Sequence, residues 1–105
     1  MGLDVSIFDN NEQRLATKRI GNVAHVARLR DLAAARLGSK SLVVSKMLYD
    51  GNHSGDSLPV ADLGQLATEL LVLEEASEQE MQAFAREMLG IVRIARQHER
   101  PVCFT

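Results

Sequence analysis

Two apolar stripes in the second half of the chain constrain its fold more than anything else. Leu63, Leu66, Ala67, Leu70 and Leu73 recur at helical spacing, and so do Met81, Phe84, Met88, Val92 and Ala95. Residues so spaced share one face of a helix, and an apolar helix face is stable only when another element covers it. Between the stripes lies Ser77-Glu78-Gln79-Glu80. This is a capping box, in which Ser77 accepts a backbone N–H from the next turn while Glu80 reaches back. The stripes are therefore predicted to be separate helices. The first is entered at Pro59, whose missing N–H has no partner to lose in a first turn, and the second runs toward His98.

The first half gives weaker signals. Residues 3–8 alternate, with Leu3, Val5 and Ile7 on one side, and Asp9-Asn10-Asn11 closes them with a turn, so a first strand is predicted. The opening Met1-Gly2-Leu3-Asp4-Val5-Ser6 also fits a loose N-myristoylation pattern, but the alternation favours the strand. Residues 12–20 are polar and show no clear period. Gly21-Asn22 reads as a helix start, Val23, Val26, Leu29, Ala33 and Leu37 follow at helical spacing, and Gly38 is a natural terminator. The alanines at 33–35 add helix propensity. Residues 42–48, Leu-Val-Val-Ser-Lys-Met-Leu, are short, apolar and partly β-branched, so a buried strand is predicted, with Lys46 its poorest fit. Pro101-Val102-Cys103-Phe104 is extended and apolar and is predicted to form a last, edge strand.

Together these elements predict one domain over residues 1–105, of α/β or α+β class. It would hold a small three-stranded sheet and three helices in the order β-α-β-α-α-β. A right-handed first crossover would make the first two strands parallel and would put the loop after residue 48 at a carboxyl strand end, where ligands usually bind. A chain of 105 residues suits one such domain, and 46% hydrophobic with 25% charged residues is the composition of a folded globular protein. A single cysteine, Cys103, forms no intrachain disulfide, and no basic-then-apolar leader opens the chain, so the expected compartment is the cytoplasm. No apolar run is long enough for a membrane span, and no membrane partner is expected.

Charge is unevenly distributed. Residues 10–46 carry eight Lys or Arg against Glu12 and Asp31, a net of +6. Residues 47–80 carry Asp50, Asp56, Asp62, Glu69, Glu74, Glu75, Glu78 and Glu80 with no Lys or Arg, a net of −8. Either the two stretches neutralise each other across the surface, or the second offers an acidic face to a basic partner. Nucleic acid is not the expected partner, because aromatic residues make up only 4% of the chain and no nucleic-acid motif is present.

Asp50-Gly51-Asn52-His53-Ser54-Gly55-Asp56-Ser57 concentrates polar groups between two apolar runs. A nucleophile elbow needs Gly-x-Ser-x-Gly, whereas Gly51-Asn52-His53-Ser54-Gly55 places histidine where serine belongs. The phosphate-loop pattern is absent too, and Asp56 would repel an anion while serving, with Ser57, as a helix entry. His25, His53, His98, Asp50, Asp56 and Cys103 show no metal-ligand spacing. His25 falls in the first helix and His98 in the last turn of the third, and Cys103 reads as an inert residue of an apolar strand. No catalytic residue, metal or cofactor is assigned.

Three stretches carry a resemblance. Met1-Gly2-Leu3-Asp4-Val5-Ser6-Ile7-Phe8-Asp9, Arg19-Ile20-Gly21-Asn22 and Lys46-Met47-Leu48-Tyr49-Asp50-Gly51-Asn52-His53-Ser54-Gly55-Asp56-Ser57-Leu58-Pro59 look like a family of small bacterial immunity proteins of polymorphic toxin systems, immunity protein 70. The His-Ser-Gly-Asp segment is the distinctive part. The resemblance implies a cytoplasmic protein that binds and neutralises a cognate toxin without catalysis of its own. The same loop is similar to a His-Ser-Asp-Cys-Asp-Gly loop of other bacterial proteins, but this chain lacks that cysteine and its second Asp is displaced. From the loop and the acidic stretch, the candidate partner-binding residues are Asp50, Asn52, His53, Asp56, Asp62 and Glu69. The alternative is a small hydrolase or ligand-binding domain with His53 as base or ligand, oriented by Asp50 or Asp56. A homodimer whose helical faces complete each other is compatible with both.

Overall fold

The computed structural model describes residues 2–48 and 57–104. The first strand, β1 (Gly2–Phe8), returns directly as β2 (Arg14–Asn22), and the two pair antiparallel. Asp9 builds the turn between them. Its Oδ1 accepts the N–H groups of Asn11 and Gln13, and its own N–H donates to the Gln13 carbonyl. A short polar side chain that bonds its own backbone ahead is the usual device of such turns. The expected strand is thus present, and residues 12–20, which showed no period, supply most of its partner. Only Ile20 of β2 is buried, and an irregularity at Leu3/Asp4 shifts the register, so the strand never alternates cleanly.

Helix α1 (Val23–Leu37) begins as predicted, with the Asn22 side chain accepting the N–H of His25 at 2.9 Å. Val26, Leu29 and Ala33 form its buried face, whereas Val23 is exposed. Gly38 ends it at φ 86° and ψ 161°, a backbone state essentially reserved for glycine.

The largest correction concerns residues 42–48. They are not a strand: Val43–Met47 forms a turn of π-helix, closed by Leu48 N–H bonding the Val43 carbonyl at 2.7 Å. Val43, Val44, Met47 and Leu48 are buried and Lys46 is exposed, which is helical alternation rather than that of a strand. With this segment helical, the expected strand–helix–strand crossover and its parallel pairing do not exist. Residue 48 therefore stands at the end of a helical turn and not at a carboxyl strand end.

Two further strands complete the sheet: β3 (Ser57–Leu58) and β4 (Val102–Phe104). The sheet is four-stranded, in the order β2-β1-β4-β3, and every pairing is antiparallel. The class is therefore α+β. The strand at residues 102–104 is not an edge strand as expected but lies between β1 and β3. Pro101 stands just before it, so its missing N–H removes no ladder bond.

After a short 3-10 turn (Val60–Asp62), helices α2 (Leu63–Glu74) and α3 (Gln79–His98) follow the two stripes. Leu63, Leu66, Leu70 and Leu73 of α2 are buried, as are Met81, Phe84, Met88, Val92 and Ala95 of α3, joined there by Ala85 and Ile91. The capping box does not form. The N-cap of α3 is Glu78, which makes no side-chain cap, and the Ala76 carbonyl accepts instead from Gln82 Nε2. Ser77 stays exposed, and the carboxylates of Glu78 and Glu80 bond arginines of α1. At its other end α3 closes with Glu99 left-handed at φ 54° and Arg100 N–H reaching back to the Ala95 carbonyl.

The helices cover the sheet face that carries Leu3, Val5, Ile7, Leu58, Val102 and Phe104, and one continuous core joins them all. Arg100 ties the two ends of the chain together, donating to the Phe8 carbonyl at 2.8 Å and to Asn10 Oδ1 at 3.0 Å. Among the described residues, no helix is long and apolar enough to cross a membrane.

Candidate functional site

Of the six residues proposed from sequence, Asp50, Asn52, His53 and Asp56 lie outside the described residues. The hydrolase alternative, which depends on His53, lies there with them. Asp62 ends the 3-10 turn at the mouth of α2, half-buried and with no ion pair among the described residues. Glu69 is engaged within the fold. One carboxylate oxygen accepts Val43 N–H at 2.9 Å, and the other accepts Leu42 N–H and Gln65 Nε2, each at 3.1 Å. Placed at the start of the π-helical turn, this anion satisfies donors that no helical carbonyl reaches.

Three further carboxylates of the acidic stretch form ion pairs. Glu80 meets Arg28 at 2.6 Å, Glu78 meets Arg36 at 3.4 Å, and Glu74 lies 3.8 Å from Arg86. Arg28 and Arg36 of α1 and Arg86 of α3 therefore pair with three of the four carboxylates where α2 turns into α3. Each such pair is partly exposed and contributes little stability.

What the pairing leaves is a groove on the outer side of α2 and α3. These helices are joined by a tight turn and run antiparallel, as short connections require. Ala67, Leu71 and Glu74 line the groove from α2, and Arg86, Leu89, Val92, Arg93 and Arg96 line it from α3, around a volume of about 570 Å³. Leu71 is 54% exposed and its neighbour Val72 is 44% exposed. Arg93 and Arg96 have no ion pair among the described residues. The site thus has an aliphatic floor and a cationic rim.

The chain matches no family model, no curated protein and no solved structure. The groove is therefore judged on its own chemistry. Sequence reading missed it, although the signal was there. Leu70-Leu71-Val72-Leu73 holds two more large apolar residues than the core stripe uses, and Arg86, Arg93 and Arg96 repeat at near-heptad spacing.

A second feature crosses the opposite face of the sheet. Thr17, Ser6, Cys103 and Ser57 lie side by side on successive strands. Ser6 and Thr17 share a hydrogen bond of 2.9 Å. Burial pushes the Cys103 thiol up from its ordinary range, while nearby Arg100 pulls it partly back. A thiol held neutral is a poor nucleophile. Among the described residues no imidazole bonds any of these groups.

Proposed function

We propose that this chain is a small binding protein of the immunity type, which neutralises a cognate toxin by occupying it. The observation that carries this reading is the groove between α2 and α3, where Leu71 stays open to solvent beside three arginines. Exposed apolar surface rimmed by charge marks protein–protein contact sites. Its aliphatic floor supplies anchor pockets, and its rim supplies steering and register. The resemblance carried by residues 1–9, 19–22 and 46–59 supports the same class of function. In this reading the chain acts in the cytoplasm and contributes no catalytic group. Asp62, with Asp50, Asn52, His53 and Asp56, adds polar contacts to the partner, and Glu69 serves indirectly by bracing the π-helical turn against α2. Co-expression with the product of the adjacent gene tests it. A stable complex and restored growth are expected, and a neighbour that neither binds nor is relieved of toxicity would sink the proposal.

A further inference from the structure

We infer that the α2–α3 groove receives an acidic amphipathic helix of the partner, laid along α3 with its apolar side on Leu71 and Leu89 and its carboxylates against Arg93 and Arg96. The inference rests on the binding-protein reading and names the chemistry of the partner. Three observations support it. The first is charge: the lining holds Arg86, Arg93 and Arg96 against the single carboxylate Glu74. Among the described residues Glu74 meets only Arg86, at 3.8 Å, while Glu78 and Glu80 are committed to Arg36 and Arg28 of α1. The rim at Arg93 and Arg96 therefore waits for an anion from outside.

The second is the floor. A lone inorganic anion has no use for Leu71, Leu89 and Ala67, and a nucleic acid would want aromatic side chains on which to stack bases, of which the lining has none. Aliphatic residues alone fit the apolar side of a peptide. The third is length. Arg86 to Arg96 spans roughly 15 Å at the helical rise, about three turns, which is long enough to seat anchors at i, i+3 or i+4, and i+7 of a docked helix, about two turns. A guanidinium also holds a carboxylate in two-point geometry, which fixes the register of the docked helix.

The test uses the full chain and two synthetic helical peptides of about four turns. Both carry leucines at helical spacing. One has glutamates flanking them and the other has lysines in the same places. Amide chemical shifts of the isotope-labelled chain and fluorescence anisotropy of the peptides report binding. The glutamate peptide is expected to perturb α2 and α3 alone, and to bind at least about ten-fold more tightly than the lysine peptide at low salt. Arg93→Glu with Arg96→Glu should remove that preference, and Arg93→Gln with Arg96→Gln should halve it in logarithmic terms. Circular dichroism verifies that each variant is folded, and the glutamine pair provides the test if the glutamate pair is not.

Equal binding of both peptides, shifts elsewhere on the chain, or no effect of either double variant would overturn the inference. So would a self-associated chain that Leu71→Asp converts to monomer, because the groove would then belong to a second copy. The two proposals fail separately. If the adjacent gene's product binds wild-type and double-variant chains equally, the immunity reading stands and the acidic helix is lost. If that product does not bind but the glutamate peptide behaves as described, the reverse holds.

Discussion

The carboxylate of Glu69 accepts the backbone N–H of Val43 at 2.9 Å, across 26 residues of chain. With the same side chain accepting Leu42 N–H, one residue of α2 caps the start of the Val43–Met47 turn, where Ser41 Oγ also accepts the Val44 N–H at 3.3 Å. Removing it strands two donors in a half-buried place. Glu69→Ala is expected to destabilise the chain by about 1–3 kcal/mol, and Glu69→Gln, which keeps one acceptor oxygen, by less. Urea denaturation of the three chains measures this. Equal midpoints would show that the turn does not depend on the carboxylate.

Leu70 and Leu71 are adjacent on α2 yet have opposite roles, since Leu70 is fully buried and Leu71 is 54% exposed. Leu70→Ala opens a cavity in the core and should cost about 2–5 kcal/mol. Leu71→Ala should change stability by no more than about 0.5 kcal/mol. Thermal unfolding of both variants distinguishes them, and a large loss for Leu71→Ala would mean that its side chain serves folding rather than binding.

Glu99 holds a left-handed backbone at φ 54°, at the position where a helix most often places glycine. Side chains with a Cβ pay roughly 1 kcal/mol there. Glu99→Gly is accordingly expected to raise stability by about 0.5–1 kcal/mol, a gain readable as a higher urea midpoint at unchanged slope. A lower midpoint would show that Glu99 has some compensating role.

Cys103 is kept protonated by burial, with Arg100 opposing part of the shift. Its pKa is raised in the folded state, so the unfolded chain loses this proton first. The associated stability is complete below the ordinary thiol range and is lost as pH rises through the folded value. Iodoacetamide should label Cys103 more slowly in the native chain than in urea at pH 8, and native stability should fall more steeply in alkaline solution than that of Cys103→Ala. Native labelling as fast as in urea would contradict the burial of the thiol.

The helices were legible because their signals are local. The stripes of α2 and α3, the Asn22 cap and the Gly38 stop each depend on residues within a turn or two of one another. The same holds for β1, whose Leu3, Val5 and Ile7 all enter the core. By contrast β2 was illegible because an edge strand buries little and this one carries a register shift. The capping box failed for a related reason. Glu78 and Glu80 found arginines of α1, and a side chain has only one place to go. Of the candidate site, the charges were visible in sequence, but their pairing was not.

The sequence by itself determined which segments are amphipathic and, through the Asn22 cap and the Gly38 stop, where α1 begins and ends, because periodicity and capping are properties of neighbours along the chain. Only the tertiary structure decided that residues 43–47 are helical, that β4 lies between β1 and β3, and that Arg86, Arg93 and Arg96 line one groove. Each of those outcomes depends on partners brought together from far apart, 26 residues for Glu69 and Val43 and 92 for Arg100 and Phe8. Local propensity is worth a few tenths of a kcal/mol per residue, so a buried hydrogen bond or a covered apolar face is enough to override it.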